Sequence, residues 1–422
     1  MILEAVRNWS GETLVFRAAT AVALVHALDD SFLGRQPGVP LGQHALAAAL
    51  ALVLGGAALV WFPRLRPVLA ALVSLVFGVL AIGNGALHLI HVALDGPAAS
   101  DLTGIAAFAA GIVLVLLSPA ILFRHRGERE RSARRRWTLR VLAAGGALLL
   151  AYALVFPLTV AVVQTHKFRE PIGEPPSAAY EPVSFEAEDG LEMSGWYVPS
   201  ENGAAVVVVH GGGGDRTGGL DHAALLARHG YGVLVYDSRG RGESEGSHNA
   251  FGWGWEKDVA GALDFLRARA DVDPDRIGGL GLSTGADVLI EVAPERRDLR
   301  AVVSDGATAR SFDDYRSLAG LDEGAPFFWT MLTGARLFSG SSPGEPLEDL
   351  AAQVSPTPLL LVSTGLGVQN ELGFNRVYAE AAREPVELWE LPDVQHTAAV
   401  RERAAEYEER VIGFLDEALA QR

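Results

Sequence analysis

Ile277-Gly-Gly-Leu-Gly-Leu-Ser-Thr-Gly285 is the stretch that decides how this chain is read. An apolar run ends in Gly281-Leu282-Ser283-Thr284-Gly285, and helix-forming residues follow at once. This is a G-x-S-x-G pattern, in which a strand turns sharply into a helix and holds a serine at the tip of the turn. The glycines serve that geometry, because a Cβ on either would meet the closely approaching strand and helix. A chain with 47 glycines also produces the pattern by chance, so the flanking segments have to carry the reading.

On both sides of the serine, short β-type runs alternate with amphipathic helices. Runs 182–187 and 191–198 flank Asp189-Gly190, a hairpin signal. Run 204–209 is continuously apolar, as in a strand buried on both faces, and leads into His210-Gly211-Gly212-Gly213-Gly214. A helix over 220–229 and a strand over 232–236 follow, the strand ending in Asp237-Ser-Arg-Gly-Arg-Gly-Glu-Ser244. Next come a helix near 255–270, the strand 277–282 and a helix from Thr284. Strands at 301–304, 358–362 and 386–391 continue the alternation, with helices near 374–383 and 398–420. Such alternation implies a mostly parallel sheet with helices on both faces.

Residues 164–422 resemble the α/β-hydrolase superfamily, in particular its esterase and serine-peptidase-like branches. The resemblance rests on His210-Gly211-Gly212, the 237–244 loop, Asp258 ahead of Ala262-Leu-Asp-Phe265, the 281–285 turn and Gln395-His396-Thr397, in that order. It implies Ser283 as nucleophile and His396, beyond the last strand, as general base. The oxyanion donors it implies are the backbone N–H groups of Gly212 and Thr284. The acid departs from the family pattern. An aspartate belongs a few residues after strand 358–362, but the chain reads Ser363-Thr-Gly-Leu-Gly-Val-Gln-Asn-Glu371. Glu371 is the first carboxylate there and is the expected partner of His396; Asp305, ending the preceding strand, is its rival. An insertion at about 307–350 is expected to form a helical cap. Its Phe312, Tyr315, Phe327, Phe328, Trp329 and Phe338 suit an acyl pocket, a lipid-facing surface or ordinary packing.

The first 163 residues read differently. Long Ala/Leu/Val/Gly runs near 14–28, 41–62, 68–94, 104–123 and 139–163 give about five expected membrane spans, since about 20 apolar residues cross a bilayer as a helix. Basic residues crowd two loops: Arg64 and Arg66, then Arg124, Arg126, Arg129, Arg131, Arg134, Arg135, Arg136 and Arg140. Basic loops stay in the cytoplasm, which predicts a cytoplasmic N-terminus and a second half outside. The expected layout is a helical membrane domain over 1–163, a Pro-rich linker over 164–182 and an α/β-hydrolase domain over 183–422.

Polar residues inside this apolar half stand out. Asn84, His88 and His91 share one helix face, and His26, Asp29, Asp30, His44, Asp95 and Asp101 are predicted near the same membrane surface. His26, Asp29, His88 and His91 are a candidate metal or proton site, against the alternative of interhelical hydrogen bonding.

With 422 residues, 49% of them hydrophobic, the chain is too long for one typical domain. It has no cysteine, which removes disulfides and thiolate metal sites, and no cofactor is implied. The net charge of −16 divides unevenly: 164–422 carries about −20, offset by a basic first half. An acidic C-terminal half argues against nucleic acid as a partner. A membrane-anchored serine hydrolase acting on a small or lipid-like acyl substrate is therefore expected. Peptidase or acyltransferase activity stays open, as does a non-catalytic sensor built on the same fold.

Overall fold

The computed structural model describes residues 11–32, 41–95, 101–124, 146, 151–165, 172–246, 251–319 and 324–420. The chain divides into two units, Met1–Val163 and Gln164–Arg422.

The first unit contains helices α1 (Gly11–Phe32), α2 (Leu41–Trp61), α3 (Pro67–Asp95) and α4 (Asp101–Arg124), with α5 (Phe156–Thr165) at its end. Among the described residues three helices are long and apolar enough to cross a membrane: Gly11–Phe32, Pro67–Ala86 and Asp101–Leu122. That corrects the expected five. The second run contributes only the shorter apolar stretch Ala51–Arg64, and the fifth only Tyr152–Val162. Most of 139–150 and the basic loop beyond Arg124 lie outside the described residues.

Helices α3 and α4 meet along a seam of small residues. A Cβ on Gly78 would stand 2.9 Å from the Gly111 carbonyl oxygen, and one on Gly85 would stand 2.6 Å from the Phe108 nitrogen. Gly78 and Gly85, like Gly104 and Gly111, are seven residues apart and so lie on one helix face. Close backbone approach is the usual way helices associate where water supplies no hydrophobic drive. Ser74 adds a hydrogen bond from its hydroxyl to the Leu114 carbonyl, 2.8 Å. At the other end, the rings of Phe16 and Phe62 stack with centroids 3.7 Å apart.

The second unit is one eight-stranded sheet in the order β1-β2-β4-β3-β5-β6-β7-β8. Its strands are β1 (Glu181–Glu186), β2 (Glu192–Val198), β3 (Ala205–Val209), β4 (Gly232–Tyr236), β5 (Ile277–Leu282), β6 (Leu299–Asp305), β7 (Leu359–Leu366) and β8 (Val386–Gln395). The hairpin β1–β2 is antiparallel and joins β4 antiparallel; every later pairing is parallel. Its helices are α6 (Leu220–Arg228), α7 (Glu256–Arg267), α8 (Thr284–Val292), α9 (Phe312–Ala319), α10 (Ala325–Ser339), α11 (Leu347–Val354), α12 (Glu371–Ala381), α13 (Ala399–Glu402) and α14 (Ala404–Ala418).

Both faces of the sheet are covered. Along β3, Ala205, Val207 and Val209 pack with Leu263, Val288 and Leu289, whereas Val206 and Val208 pack with Leu226, Val411 and Leu415. This period-two division is why an unbroken apolar run is a strand here and not a helix. Sequence periodicity misjudged several boundaries. β8 extends to Gln395 beyond residue 391, because Leu366 of β7 still pairs with Gln395 after a register shift. The closing helix is interrupted at Arg403, whose backbone is non-helical.

Candidate active site

Ser283 follows β5 directly and precedes α8. Its backbone takes φ 53 and ψ −119, a combination that costs a non-glycine residue roughly 1–3 kcal/mol. The surroundings enforce it. A Cβ on Gly281 would run into the backbone of Gly285, and one on Gly285 into the Val209 and His210 carbonyls. The Ser283 N–H donates to the Asp305 carbonyl at 2.8 Å. The turn is thus wedged between the ends of β3 and β6, with the hydroxyl left at the tip.

His396 follows β8, on the far side of β7 from β6. Its Nε2 lies 2.8 Å from Ser283 Oγ and its Nδ1 lies 2.6 Å from Glu371 Oε2. Glu371 opens α12 and its side chain is wholly buried. Its other oxygen accepts from the Thr364 N–H at 2.6 Å and the Thr364 hydroxyl at 2.9 Å. A carboxylate so held accepts from Nδ1–H, which leaves an Nε2 lone pair aimed at the serine hydroxyl. Strain concentrates here. Five described non-glycine residues have positive φ, and four of them are Ser283, Gln369, Asn370 and Thr397, beside the three polar side chains. Gly306, at φ 84, makes room for the imidazole: a Cβ there would stand 2.9 Å from His396 Cε1.

Asp305, the rival acid, is placed differently. Its buried carboxylate accepts from the Tyr407 hydroxyl at 3.0 Å and lies 3.8 Å from His222 Nε2. Its backbone, not its side chain, touches the serine. The two expected oxyanion donors are neighbours, since a Cβ on Gly212 would stand 2.5 Å from Thr284 Oγ1.

His210 is a residue whose work the sequence did not disclose. Its Nε2 accepts from the Ser238 N–H at 3.0 Å, so Nδ1 carries the proton and donates to the Gly211 carbonyl at 2.8 Å. In a trans peptide the N–H points opposite the C=O. Holding the Gly211 carbonyl therefore orients the Gly212 N–H as well. Burial pushes the His210 pKa down to about 4, keeping the ring neutral in this role.

The 237–244 loop turns out to be ionic framework. Arg239 reaches both oxygens of Asp189 at 2.9 Å and Asp258 at 2.7 Å, which ties the β1–β2 turn to α7. Arg216 joins Asp237 at 2.6 Å and Glu243 at 2.8 Å. Burial raises the Asp258 pKa to about 6, with Arg239 opposing the shift. Thr364 and Gly306 also escaped the sequence reading. A hydroxyl residue at the end of β7, just where the acid is anchored, was the only available hint.

Helices α9, α10 and α11 fill the segment between β6 and β7. The aromatic residues there divide. Tyr315 stacks on Phe328 with centroids 4.1 Å apart, as part of the core, whereas Trp329 and Phe338 are exposed, as is aliphatic Leu337.

A parallel sheet with an antiparallel hairpin edge, and a strained serine hydrogen-bonded to a histidine that a carboxylate holds, define a serine hydrolase of the α/β-hydrolase class. Residues 119–382 match the X-Pro dipeptidyl-peptidase (S15 family), and the chain belongs to that family. It is 29% identical over 249 residues to the uncharacterized protein YfhR of Escherichia coli, covering 57% of this chain and 81% of that one. YfhR of Salmonella typhi is 31% identical over 271 residues, covering 58% and 85%. Among solved structures, the esterase Pf2001 of Pyrococcus furiosus is 22% identical with a TM-score of 0.49, covering 60% of this chain and 99% of that one.

Proposed function

We propose that this protein is a membrane-anchored serine hydrolase that cleaves esters through an acyl-enzyme on Ser283. The observation that carries the proposal is the continuous chain Glu371–His396–Ser283, at 2.6 and 2.8 Å. The serine hydroxyl attacks the substrate carbonyl while His396 Nε2 takes its proton, and Glu371 stabilises the imidazolium that results. The Gly212 and Thr284 N–H groups receive the negative charge on the carbonyl oxygen. His396 then protonates the leaving alcohol, and a water activated by the same nitrogen releases the acid and frees Ser283.

The membrane reading rests on the first unit. Besides its three long apolar helices it exposes Val25, Val53, Leu54, Val68, Leu102 and Leu116, surface that water would penalise and lipid would not. The 1–163, 164–182 and 183–422 layout belongs to the same proposal. So does a cytoplasmic N-terminus with the hydrolase outside, which keeps the arginine-rich loops within if the shorter apolar stretches Ala51–Arg64 and Tyr152–Val162 cross as well. External protease acting on intact cells checks this; sparing of the C-terminal half would contradict it.

Esters are favoured by the exposed apolar residues of α10, Trp329, Leu337 and Phe338, which suit an acyl chain. A second reading, hydrolysis of an X-Pro amide, is favoured by the family. Membranes carrying wild type or Ser283→Ala, assayed with p-nitrophenyl esters of graded chain length and with an X-Pro anilide, test both. The proposal predicts Ser283-dependent ester turnover that exceeds anilide turnover. Anilide-selective turnover would replace the ester reading, and no Ser283-dependent turnover of any member would remove it.

A further inference from the structure

The first unit holds a second polar site that ester hydrolysis does not use. His26 on α1 is 1% exposed and His88 on α3 is 4% exposed. Their Nε2 atoms both face the carboxylate of Asp30, at 3.4 Å from His26 and 3.6 Å from His88. The three ligand atoms lie within 4.8 Å of one another, and the two rings cross at 76° with centroids 4.9 Å apart.

The opposite nitrogen of each ring is already engaged. His88 Nδ1 lies 3.0 Å from Oδ1 of buried Asp101, the first residue of α4. His26 Nδ1 lies 3.2 Å from Thr103 Oγ1, and that hydroxyl donates its own proton to Asp29 at 2.5 Å. A threonine oxygen that has given its proton away can only accept, so His26 carries its proton on Nδ1 and a lone pair on Nε2. By the same logic a neutral His88 donates Nδ1–H to Asp101 and turns a second lone pair toward Asp30. Two lone pairs and a carboxylate repel one another unless a cation lies between them.

A proton on His88 would satisfy His88 alone. It would leave His26 Nε2, which is buried and makes no hydrogen bond, without a partner. Such a nitrogen forfeits the hydrogen bond that water gives it in the unfolded chain. A metal ion satisfies both rings at once. Its metal-binding histidines would donate their other N–H to a carboxylate or a hydroxyl, as is general for such ligands.

We infer that His26 Nε2, His88 Nε2 and Asp30 bind a divalent first-row transition ion. Two imidazoles with one carboxylate are a ligand set for zinc or iron(II) and not for calcium or magnesium. Ligands on a tetrahedral zinc stand about 3.4 Å apart, and ligand atoms that already lie within 4.8 Å of one another need no pair to close by more than about 1.5 Å. Three protein ligands leave a coordination position open, on the side where Asp30 is 36% exposed. Gly104 sets the depth of the site, because any Cβ there would run into the His88 ring. Asp29, expected from the sequence among the ligands, stands behind His26 through Thr103, and Asp30 takes its place. The side chain of His91 lies outside the described residues.

The test uses the full chain in detergent. Elemental analysis after chelation and reloading with zinc(II) or cobalt(II) should find one ion per chain, with a visible cobalt d–d spectrum. Asp30→Asn and His26→Ala should each lower the affinity at least tenfold, while Ser283→Ala binds as wild type does. His88→Cys guards against misfolded variants: the chain has no cysteine, so a thiolate-to-cobalt band in this variant reports direct ligation. Wild type that holds less than a tenth of an ion and shows no cobalt spectrum overturns the inference in favour of a protonated His88. Undiminished binding in Asp30→Asn and His26→Ala together also overturns it.

Discussion

His396 and His88 are held alike and look out on different groups. In each, Nδ1 lies within 3.0 Å of a buried carboxylate, Glu371 in one case and Asp101 in the other. His396 Nε2 meets a serine hydroxyl, which has a proton to give; His88 Nε2 meets Asp30 and a second imidazole, which have none. The carboxylate behind the ring fixes its tautomer in both. What stands in front decides whether the nitrogen serves as a base or as a ligand.

The comparison breaks most simply at the serine. Ser283→Ala should lower kcat/KM for an ester by about 10⁴-fold or more, since nucleophile and base act as a unit. Removing the group behind the ring comes next. Glu371→Gln keeps the shape but offers Nδ1 the wrong partner, and should cost about 10²–10⁴-fold in kcat with KM little changed. Asp305→Asn, facing Tyr407 instead of His396, should stay within a few-fold. Equal losses in the two variants would transfer the acid's role away from Glu371.

His210 sharpens the contrast, being an imidazole that must not take a proton. Its folded pKa of about 4 lies below the ordinary 6.5, so between those values the unfolded chain binds a proton that the folded chain does not. Stability of the hydrolase unit should therefore be level above pH 6.5 and fall as pH drops toward 4, by about 3 kcal/mol from this ring. Urea unfolding followed by tryptophan fluorescence reads this, and His210→Gln should flatten that part of the profile. A smaller loss than at Glu371 is expected at Gly306. Gly306→Ala adds a methyl 2.9 Å from the His396 ring at φ 84 and should cost about 1–2 kcal/mol of transition-state stabilisation, seen as a drop in kcat.

Much of the hydrolase unit was legible in the sequence, because buried parallel strands and a G-x-S-x-G turn leave strong local marks. The alternation of strands and helices around Ser283 follows from them, and the place of His396 from the family resemblance they support. Glu371 was legible only as the first carboxylate after β7; that Thr364 anchors it, and that left-handed Gln369 and Asn370 bring the chain round to it, depends on contacts across seven residues. The 237–244 motif was visible without its purpose, since an arginine bound to Asp189 and Asp258 spans three separate elements. In the helical unit the polar residues could be listed but not sorted. Which of two adjacent aspartates on α1 turns toward His88 and which toward Thr103 depends on how α1 is rotated against α3 and α4, which no single helix encodes.

The most direct test of the catalytic account is covalent labelling by a fluorophosphonate, read as adduct mass on the tryptic peptide containing Ser283. Wild type should carry one adduct, on Ser283, and form it much faster than Glu371→Gln, while Ser283→Ala carries none. An adduct that persists in Ser283→Ala, or wild type that resists the reagent, would contradict it.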